Sequence, residues 1–196
     1  MDKLQAYHAL KAAMDDYAPV SEATWKRLKG ITRYRTYSKG QLLYQLGEIP
    51  SSFAFVAEGL VRCYVSDESG AEYNKNFFCE GQFPGAMTAL LRSEPSLMGF
   101  EALEHSHIIE IDFVAYRALL LECHDLKMFQ IHYLERNWLL AKDSREIQLV
   151  QEQAGDRYDR FIEQYPHLVK RLPQYHIASH LGVTPTQLSR IRKSRN

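Results

Sequence analysis

Gln174-Tyr-His-Ile-Ala-Ser-His-Leu-Gly-Val-Thr-Pro-Thr-Gln-Leu-Ser-Arg-Ile-Arg-Lys193 is the stretch on which the reading of the whole chain turns. Its first half places Ile177, Ala178 and Leu181 on one apolar stripe at helical spacing. Gly182 then offers a residue free to take positive φ, which ends a helix sharply. Val183 fills the corner, Thr184 is a favourable N-cap, and Pro185 suits the first position of a second helix. In that second helix Leu188 and Ile191 turn inward. Thr184, Thr186, Gln187, Ser189, Arg190, Arg192 and Lys193 are left as candidates for contact with a partner.

A small residue at 178 and a glycine four positions later allow two helices to approach closely, as in a helix-turn-helix. The outward side chains suit base edges and phosphates of double-stranded DNA. An ordinary helical hairpin inside a core is the plainer alternative. Charge argues against it. No Asp or Glu follows Glu163, whereas Lys170, Arg171, Arg190, Arg192, Lys193 and Arg195 do.

The whole 196-residue chain is neutral overall, with 24 Lys and Arg against 24 Asp and Glu. The basic surplus is therefore local, which separates a binding end from an earlier, more acidic part. A hydrophobic content of 45% and an aromatic content of 12% belong to globular proteins rather than disordered ones. No apolar run is long enough to span a bilayer, and the start lacks the form of a signal peptide. Cys63, Cys79 and Cys123 are odd in number and widely spaced, so reduced thiols and a cytoplasmic setting are expected.

Residues 2–16 carry Leu4, Tyr7, Leu10 and Met14 at helical spacing, and Ser21 caps a second helix through Trp25 and Leu28. Residues 31–111 then read as short strands rich in β-branched and aromatic residues, broken by glycines. Residues 52–59, followed by 60–65, suggest two strands joined tightly. Residues 67–70 form a turn into a strand over 72–78, and residues 100–103 and 107–111 complete a small antiparallel roll. His105 and His107 alternate as on one strand face; with no third ligand motif beside them, an exposed face is expected and no metal.

After a short helix over 113–122, no Gly or Pro interrupts residues 125–153, a helix of roughly 40 Å. Leu126, Tyr133, Leu140 and Ile147 repeat every seven residues, and Ile131, Leu134, Trp138 and Ala141 mark a second face. A helix apolar on two sides needs two partners: one face is expected to cover the roll and the other to pair with the same helix of a second copy, the plainer alternative being one buried helix in a monomer. Leu126, Ile131, Tyr133, Leu134, Trp138 and Ala141 are the candidate dimer contacts. Gly155 marks a hinge into a last helical region. The expected fold class is α+β, with a roll and flanking helices over 1–124, a dimerisation helix over 125–153 and a helix-turn-helix domain over 154–196.

This order resembles a bacterial regulator of the Crp–Fnr family. The likeness is carried by Gly47-Glu48, Val56-Ala-Glu-Gly59, Gly81-Gln-Phe-Pro-Gly85 and Leu188-Ser-Arg-Ile-Arg192, and runs from about residue 31 to 193. The resemblance implies a cyclic-nucleotide-binding-type sensor, a homodimer on a palindromic operator, control of transcription with RNA polymerase as a further partner, and no enzymatic activity. No Ser-His-Asp, paired-carboxylate or metal-ligand spacing supports an enzyme.

Family members that bind cyclic AMP hold the ribose with a Glu after the Phe-x-Gly turn and the phosphate with an Arg-Ser pair. Here Gly85 is followed by Ala86 and Met87, and the register places Ser96 and Leu97 at the Arg-Ser positions. Arg92-Ser93 lies four residues too early. The expectation is a sensor of unknown effector, or none, with its cyclic-nucleotide grip lost. The alternative is an effector-free protein that uses the roll as an interaction platform. No Cys precedes Cys63 to hold an iron–sulfur cluster as in the oxygen sensors of the family, and no cofactor is expected. Many relatives continue into a β-hairpin wing that touches the backbone, whereas this sequence stops three residues after Lys193, which puts wing contacts in doubt. Pro185 stands at the family's first base-contacting position, which leaves Thr186, Gln187 and Arg190 as base readers.

Overall fold

The computed structural model describes residues 1–140 and 153–195. Helix α1 (Lys3–Asp15) opens with a capping box: Gln5 N donates to Asp2 Oδ1 at 2.8 Å and Asp2 N to Gln5 Oε1 at 2.9 Å. Helix α2 (Glu22–Gly30) starts at Ser21, as its sequence predicts. Seven strands follow: β1 (Thr32–Tyr37), β2 (Leu42–Tyr44), β3 (Ser52–Glu58), β4 (Val61–Ser66), β5 (Glu72–Phe78), β6 (Gly99–Ala102) and β7 (Ser106–Asp112). Helix α3 (Met87–Arg92) lies between β5 and β6, and α4 (Phe113–Glu122) follows β7.

The strands form two sheets, in the orders β1-β7-β3 and β2-β6-β4-β5. β3 and β4 are both present, yet they do not pair with each other as a tight hairpin. Gly59, at φ +107°, instead carries the chain from one sheet to the other, and Ser106 makes the matching crossing between β6 and β7. The two corners touch, since Leu103 N donates to Leu60 O at 2.7 Å and a side chain at 59 would collide with Ser106. One antiparallel ribbon is thus folded over at a glycine, because no other residue accepts both that φ and that contact.

Period-two alternation explains why β3 reads as an unbroken apolar run. Phe53, Phe55 and Ala57 face a core shared with Leu10, Met14, Trp25, Ile109, Ile111 and Phe129. Ala54 and Val56 face the interior of the roll, with Val61, Cys63, Ala86, Phe100 and Ile108. Full burial of a side chain such as Phe55 contributes about 1.5–3 kcal/mol.

Helix α5 (His124–Leu134) continues through a π-helical turn, Glu135–Leu139. The rest of the expected long helix, with Ala141 and Ile147, lies outside the described residues. Four helices follow: α6 (Ala154–Gln164), α7 (Leu168–Arg171), α8 (Gln174–Leu181) and α9 (Pro185–Arg195). Gly155 is no hinge. It sits in the first turn of α6, and the Arg195 guanidinium packs against it, where a side chain would clash.

The chain divides into two compact units. One comprises residues 1–63 and 77–140; the other comprises 64–76, which hold the end of β4, the turn after it and most of β5, together with 141–196. In the second, Tyr158, Phe161, Leu168, Leu172, Ile177, Ala178, Leu181 and Leu188 are buried. Among the described residues no helix is long and apolar enough to cross a membrane.

Candidate nucleic-acid interface and sensor cup

Helix α8 ends as its sequence predicts. Gly182 is left-handed at φ 68°, Val183 N donates to Ala178 O at 3.0 Å and Gly182 N to Ser179 O at 3.3 Å. This double closure is a Schellman motif, and it turns the chain within three residues. Thr184 Oγ1 then accepts from Gln187 N at 3.2 Å, while Gln187 Oε1 accepts from Thr184 N at 2.8 Å. Ala178 and Leu188 are buried between the helices. Thr186, Ser189, Arg190 and Lys193 are exposed, and Arg192 is half-buried.

Two candidates change standing. Gln187 and Thr184 are tied in the capping box, so the amide oxygen of Gln187 is engaged and only its NH2 is available to a base. Arg195 adds little to the basic face. It pairs with Asp156 at 3.1 Å and Asp159 at 3.0 Å, clamping the end of α9 to α6.

The second unit also holds a polar cluster that sequence reasoning missed. Asn74 on β5 donates through Nδ2 to His176 O and to His176 Nδ1, both at 3.0 Å. Asn74 N donates to Ser179 Oγ at 2.9 Å, Ser179 Oγ to Glu72 O at 3.2 Å, and His180 Nδ1 lies 3.1 Å from Asn74 O. His176, Ser179 and His180 stand three and four apart on one face of α8. That spacing was visible in the sequence, but nothing there marked β5 as its partner.

In the roll, the cup candidates divide: Ala86 and Ser96 are buried, Gly85 and Met87 partly so, and Leu97 is exposed. Ala86 is fully buried, and a β-carbon on Gly85 would approach Phe53 Cβ to 2.7 Å. Met87 opens α3 and lies against the core. Ser96 is buried with its hydroxyl donating to Met98 O at 2.8 Å, and its backbone bonds Gly47 and Glu48. Leu97 is 83% exposed, and the Arg92 guanidinium points to Glu94 at 3.9 Å, in solvent. Buried Arg62 of β4 is held by Glu101 of β6, a pair the sequence did not announce. A cleft of about 190 Å³ is lined by Tyr44, Glu48 and Glu110, and none of the cup candidates lines it, although Ser96 N donates to Glu48 O at 2.8 Å.

His107 is not on an exposed face. Its Nδ1 is bonded to the Tyr34 hydroxyl, the rings stack at 5.9 Å, and burial pushes its pKa down. His105 precedes β7 and is exposed. Among the described residues no group of three metal-ligating side chains converges.

On α5 the two apolar faces differ. Leu126 is fully buried in the core, and Tyr133 packs against Tyr17, Phe83 and Phe129. Both are therefore engaged within the chain rather than offered to a second copy. Ile131, Leu134 and Trp138 remain 46%, 40% and 49% exposed.

These features define a cyclic-nucleotide-binding-type roll with a helical C-terminal region. Residues 34–123 match the family model of the cyclic nucleotide-binding domain. No curated protein matches the chain. The c-di-GMP-responsive global regulator CLP of Xanthomonas campestris is similar with a TM-score of 0.69 at 16% identity, over 89% of this chain and 91% of that one. FixK2 of Bradyrhizobium japonicum reaches 0.68 at 17% identity, over 84% of each. A CooA variant of Carboxydothermus hydrogenoformans reaches 0.66 at 19% identity, over 89% of this chain and 78% of that one. At such identities the likeness establishes the fold alone.

Proposed function

We propose that the chain is a transcription regulator of the Crp–Fnr type, binding a palindromic operator as a homodimer. The observation that carries this reading is α8–turn–α9. Its left-handed Gly182 and buried Ala178 and Leu188 set two helices in a tight pair, and Thr186, Ser189, Arg190 and Lys193 stand on the exposed side of the second. In this reading α9 enters the major groove, and Arg190 bonds both acceptors of a guanine. Gln187, with its oxygen held by Thr184, donates to a single base acceptor. Lys193 and Arg192 meet phosphates. Two copies would join through the exposed side of α5 around Ile131, Leu134 and Trp138, and address half-sites about 34 Å apart.

The apolar filling of the roll and the committed Ser96 hydroxyl support a sensor that does not grip a cyclic phosphate. A buried phosphate facing Ser96 and Leu97 would lack a cation. Operator selection from random DNA, followed by titrations at several salt concentrations, tests the whole reading. Arg190→Ala should lose about 1–3 kcal/mol and relax selectivity at one symmetric base pair. Lys193→Ala should weaken all sequences alike and flatten the salt slope by about one unit. If wild type selects no motif, DNA reading by this chain is wrong.

A further inference from the structure

We infer that His176 is an acid-sensitive catch that fastens the 64–76 hairpin to α8. The contact lies within the second compact unit and is built from buried groups: Asn74 is 4% and His176 6% exposed. Its chemistry follows from which atoms can donate. A backbone carbonyl only accepts, so the Asn74 atom 3.0 Å from His176 O is the NH2 group. The same nitrogen lies 3.0 Å from His176 Nδ1, which must therefore accept, leaving the proton on Nε2. His180 has the opposite requirement. Its Nδ1 faces the Asn74 carbonyl at 3.1 Å and must carry a proton.

The two histidines thus respond differently to acid. Protonating His180 leaves its Nδ1–H donor in place. Protonating His176 sets an N–H against an NH2. Flipping the Asn74 amide relieves that clash but puts its oxygen against the His176 carbonyl, so either orientation loses a buried bond. Among the described residues, the ionisable groups nearby include Glu72, Tyr73 and Lys75 on β5, Tyr175 on α8 with its ring 4.3 Å from that of His176, and Arg157 of α6, which donates to Leu181 O at 3.2 Å. Glu72 meets α8 through its backbone carbonyl, which accepts from Ser179. Acid thus acts through His176 and loosens the hold of the hairpin on α8, while the bonds of Ser179 and His180 to β5 remain.

Ring-nitrogen NMR on the full chain reads the tautomers directly. At about pH 8, His176 should carry its proton on Nε2 and His180 on Nδ1. Hydrogen exchange from about pH 8 to about pH 5.5, corrected for intrinsic rates, should reveal a three- to tenfold (approximate) loss of protection over 72–76 and 174–181, with residues 53–57 unchanged. His176→Gln should remove this pH response. Asn74→Asp, which offers only acceptors, should reverse it by favouring the protonated ring. A proton on His176 Nδ1 in wild type, or an undiminished pH response in His176→Gln, would overturn the inference. None of these readings requires DNA, so they stand or fall separately from the operator experiment.

Discussion

The roll and the helical C-terminal region handle polar groups in opposite ways. In the roll they are turned inward and satisfied there: Arg62 is held by Glu101, Ser96 by Met98, and Tyr37 by Glu110. On α9 they are turned outward, with Arg190 and Lys193 in solvent on a helix fixed by one buried leucine. In this chain the roll bonds these polar groups to its own residues.

The largest effect that bears on this contrast comes from the cores. Phe55→Ala should cost about 3–5 kcal/mol, because strands buried on both faces cannot collapse onto the gap. Denaturant unfolding followed by hydrogen exchange should locate the loss in residues 1–63 and 77–140. Equal loss of protection over 154–195 would mean that the two units unfold as one and would blur the contrast. Leu188→Ala should cost about 2–5 kcal/mol, concentrated in α8 and α9.

A second test concerns the polar interior of the roll. Isothermal calorimetry with cyclic AMP and cyclic GMP should give no binding in the micromolar range. Tight binding that disappears in Arg62→Gln would instead make Arg62 a replacement phosphate grip and remove the contrast.

On the exposed side of α5, replacing Leu134 and Trp138 together with Glu should convert a dimer to a monomer in sedimentation, without lowering the unfolding midpoint of the monomer. An undisturbed dimer would move the interface elsewhere.

The smallest effect is titratable. Burial acts to raise the Asp125 carboxyl, but bonds from Ser21, Thr24 and Leu126 outweigh it and hold the pKa down to about 2. Because the folded value lies below the ordinary 3.8, its contribution is complete above that value and is lost as the pH falls through about 2. Asp125→Asn should cost about 1–2 kcal/mol at neutral pH, discounted for partial exposure. Acid titrations of the two proteins should converge near the low end of that window.

Much of this structure was legible in the amino-acid order, because the signals concerned are local. The Schellman end at Gly182, the Thr184 cap, the Ser21 cap and helix 113–122 depend on residues within a turn of one another. The strands could be located by β-branched and aromatic content, and the charge asymmetry marked the face of α9. What the order left open was pairing over distance. That β3 and β4 belong to different sheets depends on Ser106 lying against Gly59, forty-seven positions away in sequence by subtraction. That Leu126 is core while Trp138 is exposed depends on which side of α5 the helices α1 and α2 and the sheet occupy. The seven-residue repeat marks both sides equally. Gly155 looked like a hinge until Arg195 was found packed over it, and Asn74 carried no signal at all. Periodicity and caps are written into consecutive residues, whereas the partner of a buried polar group is decided only when the chain has folded around it.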